Sequence, residues 1–199
     1  MPDTLPPELR RTVEDHLDPD TEEWWIRDLA SSYPWADAGG IYWIVDVDGR
    51  SALVVEDREG RFRRLDGSPG LPALSEFVAR GREAAPESFT PRGLAELLAQ
   101  WHLDPRVQLL DSEFFRVQEP VLDSWIVDGG PGVEVLRSLG AEPRLVRKDG
   151  SWVLTCHVVN PQGGVEKCVV RGTFEPFAVL SFDVQALKED GTFFYPDEF

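Results

Sequence analysis

The sequence predicts an α+β fold. N-terminal helices accompany a β-hairpin or three-stranded sheet, and a short helix precedes a C-terminal antiparallel sheet. Apolar residues recur at helical spacing early in the chain, and strand-like runs flank the turn signal Asp48-Gly49. From residue 144 onward, long strand-like segments are separated by turns that contain glycine or proline. We expect two halves, residues 1–104 and residues 105–199, or one continuous domain.

The first segment of the chain predicts two helices. Leu9, Val13 and Leu17 recur at a spacing of four, which gives a narrow apolar stripe after Pro6-Pro7. Asp20 and Glu23 then have the spacing of a capping box, and this favours a second helix through residue 31 or 32.

Strands follow at residues 41–47 and 50–56, joined by a two-residue turn at Asp48-Gly49. Pairing Val47 with Arg50 places Trp43 opposite Val54 in this hairpin. Apolar groups line both of its faces, so we expect both faces to be covered. Residues 61–65 predict a third strand.

The middle of the chain predicts a loop at residues 66–72 and two helices. The first helix carries Leu74, Phe77 and Val78. The second begins at Thr90-Pro91, an N-cap followed by proline at the first helical position, and ends before Asp104-Pro105.

The second half predicts mainly sheet. Residues 106–123 have no clear pattern, whereas residues 124–127 predict a strand and residues 133–139 a short helix that ends at Gly140. Four further strands are expected at residues 145–147, 152–160, 165–174 and 177–187.

Composition sets the broad class of protein. The chain has 199 residues, with 36 acidic side chains against 20 basic ones and a formal net charge of -16. A hydrophobic content of 42% predicts a globular protein and not a disordered acidic tail. The negative charge argues against direct binding of nucleic-acid phosphates or of an anionic membrane surface.

The N-terminus and the hydropathy pattern predict a cytoplasmic protein. Residues 1–5 have neither the basic nor the apolar region of a signal peptide, and no run approaches the ~20 apolar residues that cross a bilayer. The bias toward Arg, Ala, Gly and Pro is typical of a GC-rich bacterial genome.

The cysteine pair leaves two interpretations open. A three-residue loop after Asn160 sets a register that places Cys156 opposite Cys168, with Cα atoms about 5.5 Å apart. That distance allows a cross-strand disulfide. The alternative is that both thiols are reduced and fill the core as small apolar groups, which a cytoplasmic location favours.

Residue types found in active sites occur here without the arrangement that catalysis needs. Cys156 and His157 are consecutive on a strand, so their side chains point to opposite faces. The glycine-rich segment 128–132 lacks the third glycine of a dinucleotide fingerprint and the Lys-Ser/Thr of a P-loop, so we interpret it as a turn. The three histidines have no metal-binding spacing. We therefore predict no catalytic residue, no metal and no cofactor.

An acidic segment rich in aromatic residues is the strongest functional feature. Residues 14–37 have a local charge of -7, and residues 191–199 are also aromatic and acidic. Such a surface fits a partner protein with a basic surface, whereas the alternative is that the indoles anchor their helix to the hairpin. The predicted partner-binding residues are Trp24, Trp25, Tyr33, Trp35, Glu22, Glu23, Phe194 and Tyr195.

Three functions stay open at this point. The first is a non-catalytic module that binds another protein, as an adaptor, an inhibitor or immunity-type protein, or an assembly factor. The second is a small-molecule or enzymatic pocket on a curved antiparallel sheet, with Trp152, Cys156, His157 or Phe182 in its lining. The third is a DNA-mimic inhibitor, which the arginines interspersed among the acidic residues argue against.

Overall fold

The computed structural model describes residues 6–14, 17, 24–29, 40–46, 48–57, 59–84, 86, 89–118, 126–127 and 130–189. Within these ranges the fold is α+β, with five helices, antiparallel sheets of four and five strands, and a small two-stranded hairpin. The predicted fold class is confirmed at this level. The chain divides into two compact units, residues 1–88 with 101–105 and residues 89–100 with 106–199. The predicted boundary at residue 104 stays a prediction.

The first unit is built on the four-stranded sheet, in the order β1-β2-β3-β4. Its elements are α1 (Pro7–Val13), β1 (Trp24–Asp28), β2 (Gly40–Asp46), β3 (Ser51–Glu56), β4 (Phe62–Arg64) and α2 (Gly67–Ala84). On one face, Leu9 of α1 joins Ile44 and Val54 in a buried apolar cluster. On the other face, the guanidinium of Arg63 lies 5.9 Å from the ring centre of Phe77 in α2. Helices therefore lie against both faces of the sheet.

Residues 24–28 form a strand where the sequence predicts a helix. β1 pairs antiparallel with β2, with Ile26 opposite Ile44, and makes the sheet four-stranded where three strands were expected. The prediction was wrong because the Asp20 and Glu23 spacing is only a local signal. Consecutive Trp, Trp and Ile have high strand propensity, and pairing with a neighbouring hairpin adds backbone hydrogen bonds that the local signal ignores.

The first hairpin differs by one residue from the predicted register, because Trp43 lies opposite Leu53 and not opposite Val54. The turn closes at Asp46 and Arg50, where the N–H of Asp46 donates to the carbonyl of Arg50 at 3.0 Å. The connection is therefore one residue longer than the two-residue turn expected. The Asp46 side chain explains this, since its Oδ1 accepts the N–H of Arg50 at 2.8 Å and holds the longer turn.

The same turn occurs at two further places. At Asp57 and at Asn160, as at Asp46, the side-chain Oδ1 accepts the N–H groups of the residues two and four positions later. Each turn has a glycine three positions after this residue, in the left-handed region that L side chains rarely adopt. These glycines are Gly49, Gly60 and Gly163, with φ of 77°, 74° and 76°. The three-residue loop predicted at Asn160 is confirmed.

Helix α2 begins at Gly67, inside the segment 66–72 that the sequence predicts as a loop. The loop prediction was wrong because it relied on Pro72, and proline removes a helical hydrogen bond and usually marks the end of a helix. Here it lies near the start of an 18-residue helix, and the rest of the helix packs Leu74, Phe77 and Val78 into the core. That burial outweighs one lost hydrogen bond.

The second unit holds the larger sheet, in the order β11-β10-β9-β5, with β8 also paired to β9. Helix α3 (Pro91–His102) contributes its residues up to 100. The other elements are β5 (Gln108–Leu109), α4 (Ser112–Gln118), β6 (Ile126–Val127), β7 (Gly130–Pro131), α5 (Val133–Leu139), β8 (Arg144–Lys148), β9 (Ser151–Val159), β10 (Val165–Phe174) and β11 (Phe177–Lys188). The predicted helix at 133–139 is confirmed, and the four long strands agree with the prediction to within one residue at each end. As predicted, Cys156 lies opposite Cys168.

Candidate interaction surface

Trp24 and Trp25, both predicted to bind a partner, lie on opposite faces of β1. Trp24 is 5% exposed and packs in the cluster with Leu17 and Ile44, whereas Trp25 is 58% exposed. Consecutive side chains of a strand alternate between faces, so one indole must turn inward when the other turns outward. Of the two, Trp25 is the side chain whose surface is accessible to a partner protein.

The neighbours of Trp25 follow from the strand register. Trp25 lies opposite Val45, and Arg27 lies opposite Trp43, so these four side chains share one face of the four-stranded sheet. Val45 and Trp43 are half-buried, and Arg27 is exposed. Helix α2 contacts this face at β4, the far side of the sheet. The β1 side of the face therefore presents an apolar patch with one exposed cation.

Most of the predicted surface lies outside the described residues. Tyr33, Trp35, Glu22, Glu23, Phe194 and Tyr195 are in that group. Of the acidic side chains in residues 14–37, the structure describes Glu14 and Asp28, and both are exposed. The role of the eight predicted residues in binding stays a prediction. Among them, Trp25 is the one whose described exposure supports that role.

Four buried aspartates have structural partners. They are Asp46, Asp57, Asp66 and Asp111. Asp66 accepts the backbone N–H of Leu53 at 3.0 Å. A backbone hydrogen bond from Arg61, aided by that residue's guanidinium, holds the pKa of Asp57 below its usual range. The hydrogen-bond donors around these carboxylates offset the cost of burying them away from water.

A cleft of about 320 Å³ in the second unit is a feature that the sequence did not predict. It is lined by Arg92, Glu96, Gln100, Val107, Gln108, Leu109, Glu113, Phe114, Val117 and Gln118. Arg92 is held by buried Asp111 at 2.8 Å and contacts Glu96 at 3.1 Å. The side-chain hydrogen bond from Arg116 holds the pKa of Glu113 below its usual range. Residues 106–118 have no strong periodicity, so no sequence signal pointed to this cleft.

The cleft does not coincide with the predicted pocket on the sheet. Trp152 and Cys156 are buried side chains of β9, and neither lines the cleft. Trp152 stacks on Phe177 with ring centres 5.5 Å apart and donates its Nε1–H to the carbonyl of Thr173 at 2.8 Å. The ring also lies over Gly172, where a Cβ would come within 2.3 Å of it. This part of the sheet is filled by its own side chains.

The neighbouring thiol and imidazole of Cys156 and His157 lie on opposite faces of β9. Cys156 is buried on one face of β9, while His157 on the other face donates Nδ1–H to the carbonyl of Leu139 at 2.6 Å. A hydrogen bond with Cys156, together with burial, raises the pKa of Cys168, which disfavours a nucleophilic thiolate. Burial also lowers the pKa of His102 to about 4.

Comparisons of the chain with protein-family models, with curated proteins and with solved structures each found no match. Across the described ranges, no cluster of three or more His, Cys, Asp or Glu side chains has an arrangement that could hold a metal ion. No helix in that part of the chain has the length and apolar character needed to cross a membrane.

Proposed function

We propose that this protein binds another protein, one with a basic surface, through exposed Trp25 together with the acidic segment at residues 14–37, and that it does so without catalysis. The observation that carries the proposal is the 58% exposure of an indole on a strand at the edge of its sheet. Tryptophan is enriched among the residues that dominate interface energies. The net charge of -16 favours a basic partner by attraction at long range.

The roles of the other polar groups support binding over catalysis. The buried aspartates hold turns and a helix end, as the contacts of Asp46 and Asp111 illustrate. The pKa of His102 is too low for an efficient proton carrier near pH 7. An adaptor, an inhibitor or an assembly factor needs none of these groups to react.

The experiment exposes three immobilised proteins to lysate of the source organism: the wild-type chain, Trp25→Ala and Val184→Ala. Val184 is a matched control, because it is an apolar strand residue in the second unit that is 45% exposed. We expect a basic protein to bind the wild-type chain and the control stoichiometrically, to elute as salt rises and to be lost from Trp25→Ala. Equal amounts of partner on all three immobilised proteins would contradict the proposed surface. The absence of any bound protein would contradict the proposed function.

The cleft supports a second candidate function, the binding of a small polar molecule. Its volume of about 320 Å³ is at the lower end for ligand pockets, and its lining combines carboxylates and amides with an apolar floor. A ligand that binds the folded state raises the melting temperature. A small-molecule screen should then find a compound whose effect disappears in Gln108→Ala, since Gln108 is an exposed residue of the lining.

A further inference from the structure

One face of the large sheet carries a set of cations, although the chain is acidic overall. Arg144 and Lys148 lie on β8, and Lys167 and Arg171 lie on β10. The pairing of both strands with β9 places all four side chains on one face, which we call the basic face. Asp183 on β11 is the acidic residue at a register position on this face. The net charge of this face is therefore positive, although the whole protein has a net charge of -16.

The basic face is the more exposed side of the sheet. Along β9, Leu154 and Cys156 on the opposite face are buried, whereas Val153 and Thr155 on the basic face are half-buried. Helix α5 covers one end of the basic face, where the carbonyl of Leu139 meets His157. The remainder of the face is accessible, which is common for antiparallel sheets with one face packed on the core.

The cations are spaced regularly along β9. Lys148 lies beside Ser151, Arg171 beside Val153, Arg144 beside Thr155 and Lys167 beside His157. A cation therefore stands at every second residue of β9, on alternate sides of that strand. Two residues of a strand span about 6.6 Å, which is also the repeat of side chains on one face of an extended peptide.

Three of these cations are available for a partner. Arg171 forms an ion pair with Asp183. Within the described ranges, Arg144, Lys148 and Lys167 make no ion pair with an acidic side chain. Arg144 and Lys148 are exposed, and Lys167 is half-buried. Unsatisfied like charges on one face repel one another, and an anionic ligand would relieve that repulsion.

We propose that the basic face binds an acidic segment of another protein in extended conformation, with carboxylates at alternate positions. Aliphatic side chains lie between the cations, with Val146 45% exposed and Val153 and Val169 half-buried, and they would contact the aliphatic stems of such a segment. The described part of this face carries no Phe, Tyr or Trp side chain on which a base could stack, and the imidazole of His157 is held against the carbonyl of Leu139, so a peptide fits better than single-stranded nucleic acid. This function is separate from the Trp25 surface, which lies in the other unit and would take a basic partner.

The test measures binding of three fluorescein-labelled probes to the full chain by anisotropy. The first probe is a heptapeptide in which glutamate alternates with threonine. The second has the same composition with its glutamates consecutive, and the third is a short oligodeoxythymidylate. The double variant Lys148→Gln with Lys167→Gln removes two cations from the face. Arg11→Gln with Arg50→Gln removes the same charge from exposed positions of the first unit.

We expect the alternating peptide to bind most tightly, and the Lys148 and Lys167 variant to lower its affinity by about tenfold, as the loss of two charge pairs near the surface would. The control variant should leave the affinity unchanged. Arg144→Gln with Lys148→Gln should repeat the loss, which separates the effect from any disturbance at half-buried Lys167. Equal loss in the control, tighter binding of the oligonucleotide, or no saturable binding of the peptide would overturn the proposal. None of these outcomes depends on Trp25.

Discussion

Trp24 and Trp25 are adjacent on β1, yet Trp24 is 5% exposed in a core cluster while Trp25 is 58% exposed. The pair therefore separates stability from binding. Trp24→Ala should lower the free energy of unfolding by about 3–5 kcal/mol, because it leaves a cavity among buried side chains. Trp25→Ala should change it by less than about 0.5 kcal/mol, as surface substitutions do. Urea unfolding of both variants measures the difference.

A large and equal loss of stability in the two variants would show that Trp25 is also a core residue, and it would remove the proposed surface. A loss of partner binding in Trp25→Ala at unchanged stability is the result that the proposed function predicts.

The carboxylate of Asp46 is the next test, because it holds the first hairpin turn through the N–H groups of Asp48 and Arg50. Asp46→Ala leaves those two donors without their acceptor and should cost about 1–3 kcal/mol of unfolding free energy. Asp46→Asn keeps an Oδ1 acceptor, as Asn160 does in the equivalent turn, and should lose less. Thermal and urea unfolding of the two variants should rank them in that order, whereas equal losses would show that the charge of Asp46, which both variants remove, matters more than the hydrogen bonds of the turn.

His102 should make stability depend on pH. Burial lowers its pKa from 6.5 to about 4, and the nearby Asp66 opposes this shift. Because the folded-state pKa lies below the unfolded value, the unfolded chain binds more protons between these two pH values. The contribution of His102 to the unfolding free energy is therefore fully present above pH 6.5. It is lost as the pH falls toward 4, and the total loss is about 3 kcal/mol.

The variant His102→Gln isolates this effect from the carboxylates that titrate in the same range. Its unfolding free energy should fall less steeply than that of the wild-type chain between pH 6.5 and pH 4. Parallel curves for the two proteins would show that His102 is protonated equally in both states.

Strong local patterns explain which parts of the fold could be predicted. The strands from residue 144 onward are long, and the turn at Asn160 has a side chain and a glycine that together set the register. β1 has only five residues, so its alternation was too short to outweigh a capping signal. β5 has two residues and exists because it pairs with β9. A pairing between segments so far apart in the chain cannot be predicted from a local sequence pattern.

The candidate surfaces were predictable to different degrees. The aromatic content near Trp25 is plain in the sequence, but which indole is exposed depends on recognising a strand. The basic face has a sequence signal, since Arg144 and Lys148, and likewise Lys167 and Arg171, are four residues apart on strands. Residues four apart share a strand face. That the two pairs share a face of one sheet follows only from the registers around β9.

The thiols of Cys156 and Cys168 provide the last prediction. They face each other across β9 and β10, both are free, and both are buried. Their mutual hydrogen bond and burial raise the pKa of Cys168, so little thiolate forms at neutral pH, and the thiolate is the species that reacts. A disulfide-exchange reagent should therefore label the native chain very slowly and should titrate both thiols once urea unfolds it without reductant. Rapid native labelling would mean that the sheet opens readily at this position, and no thiol in the unfolded chain would reveal a disulfide.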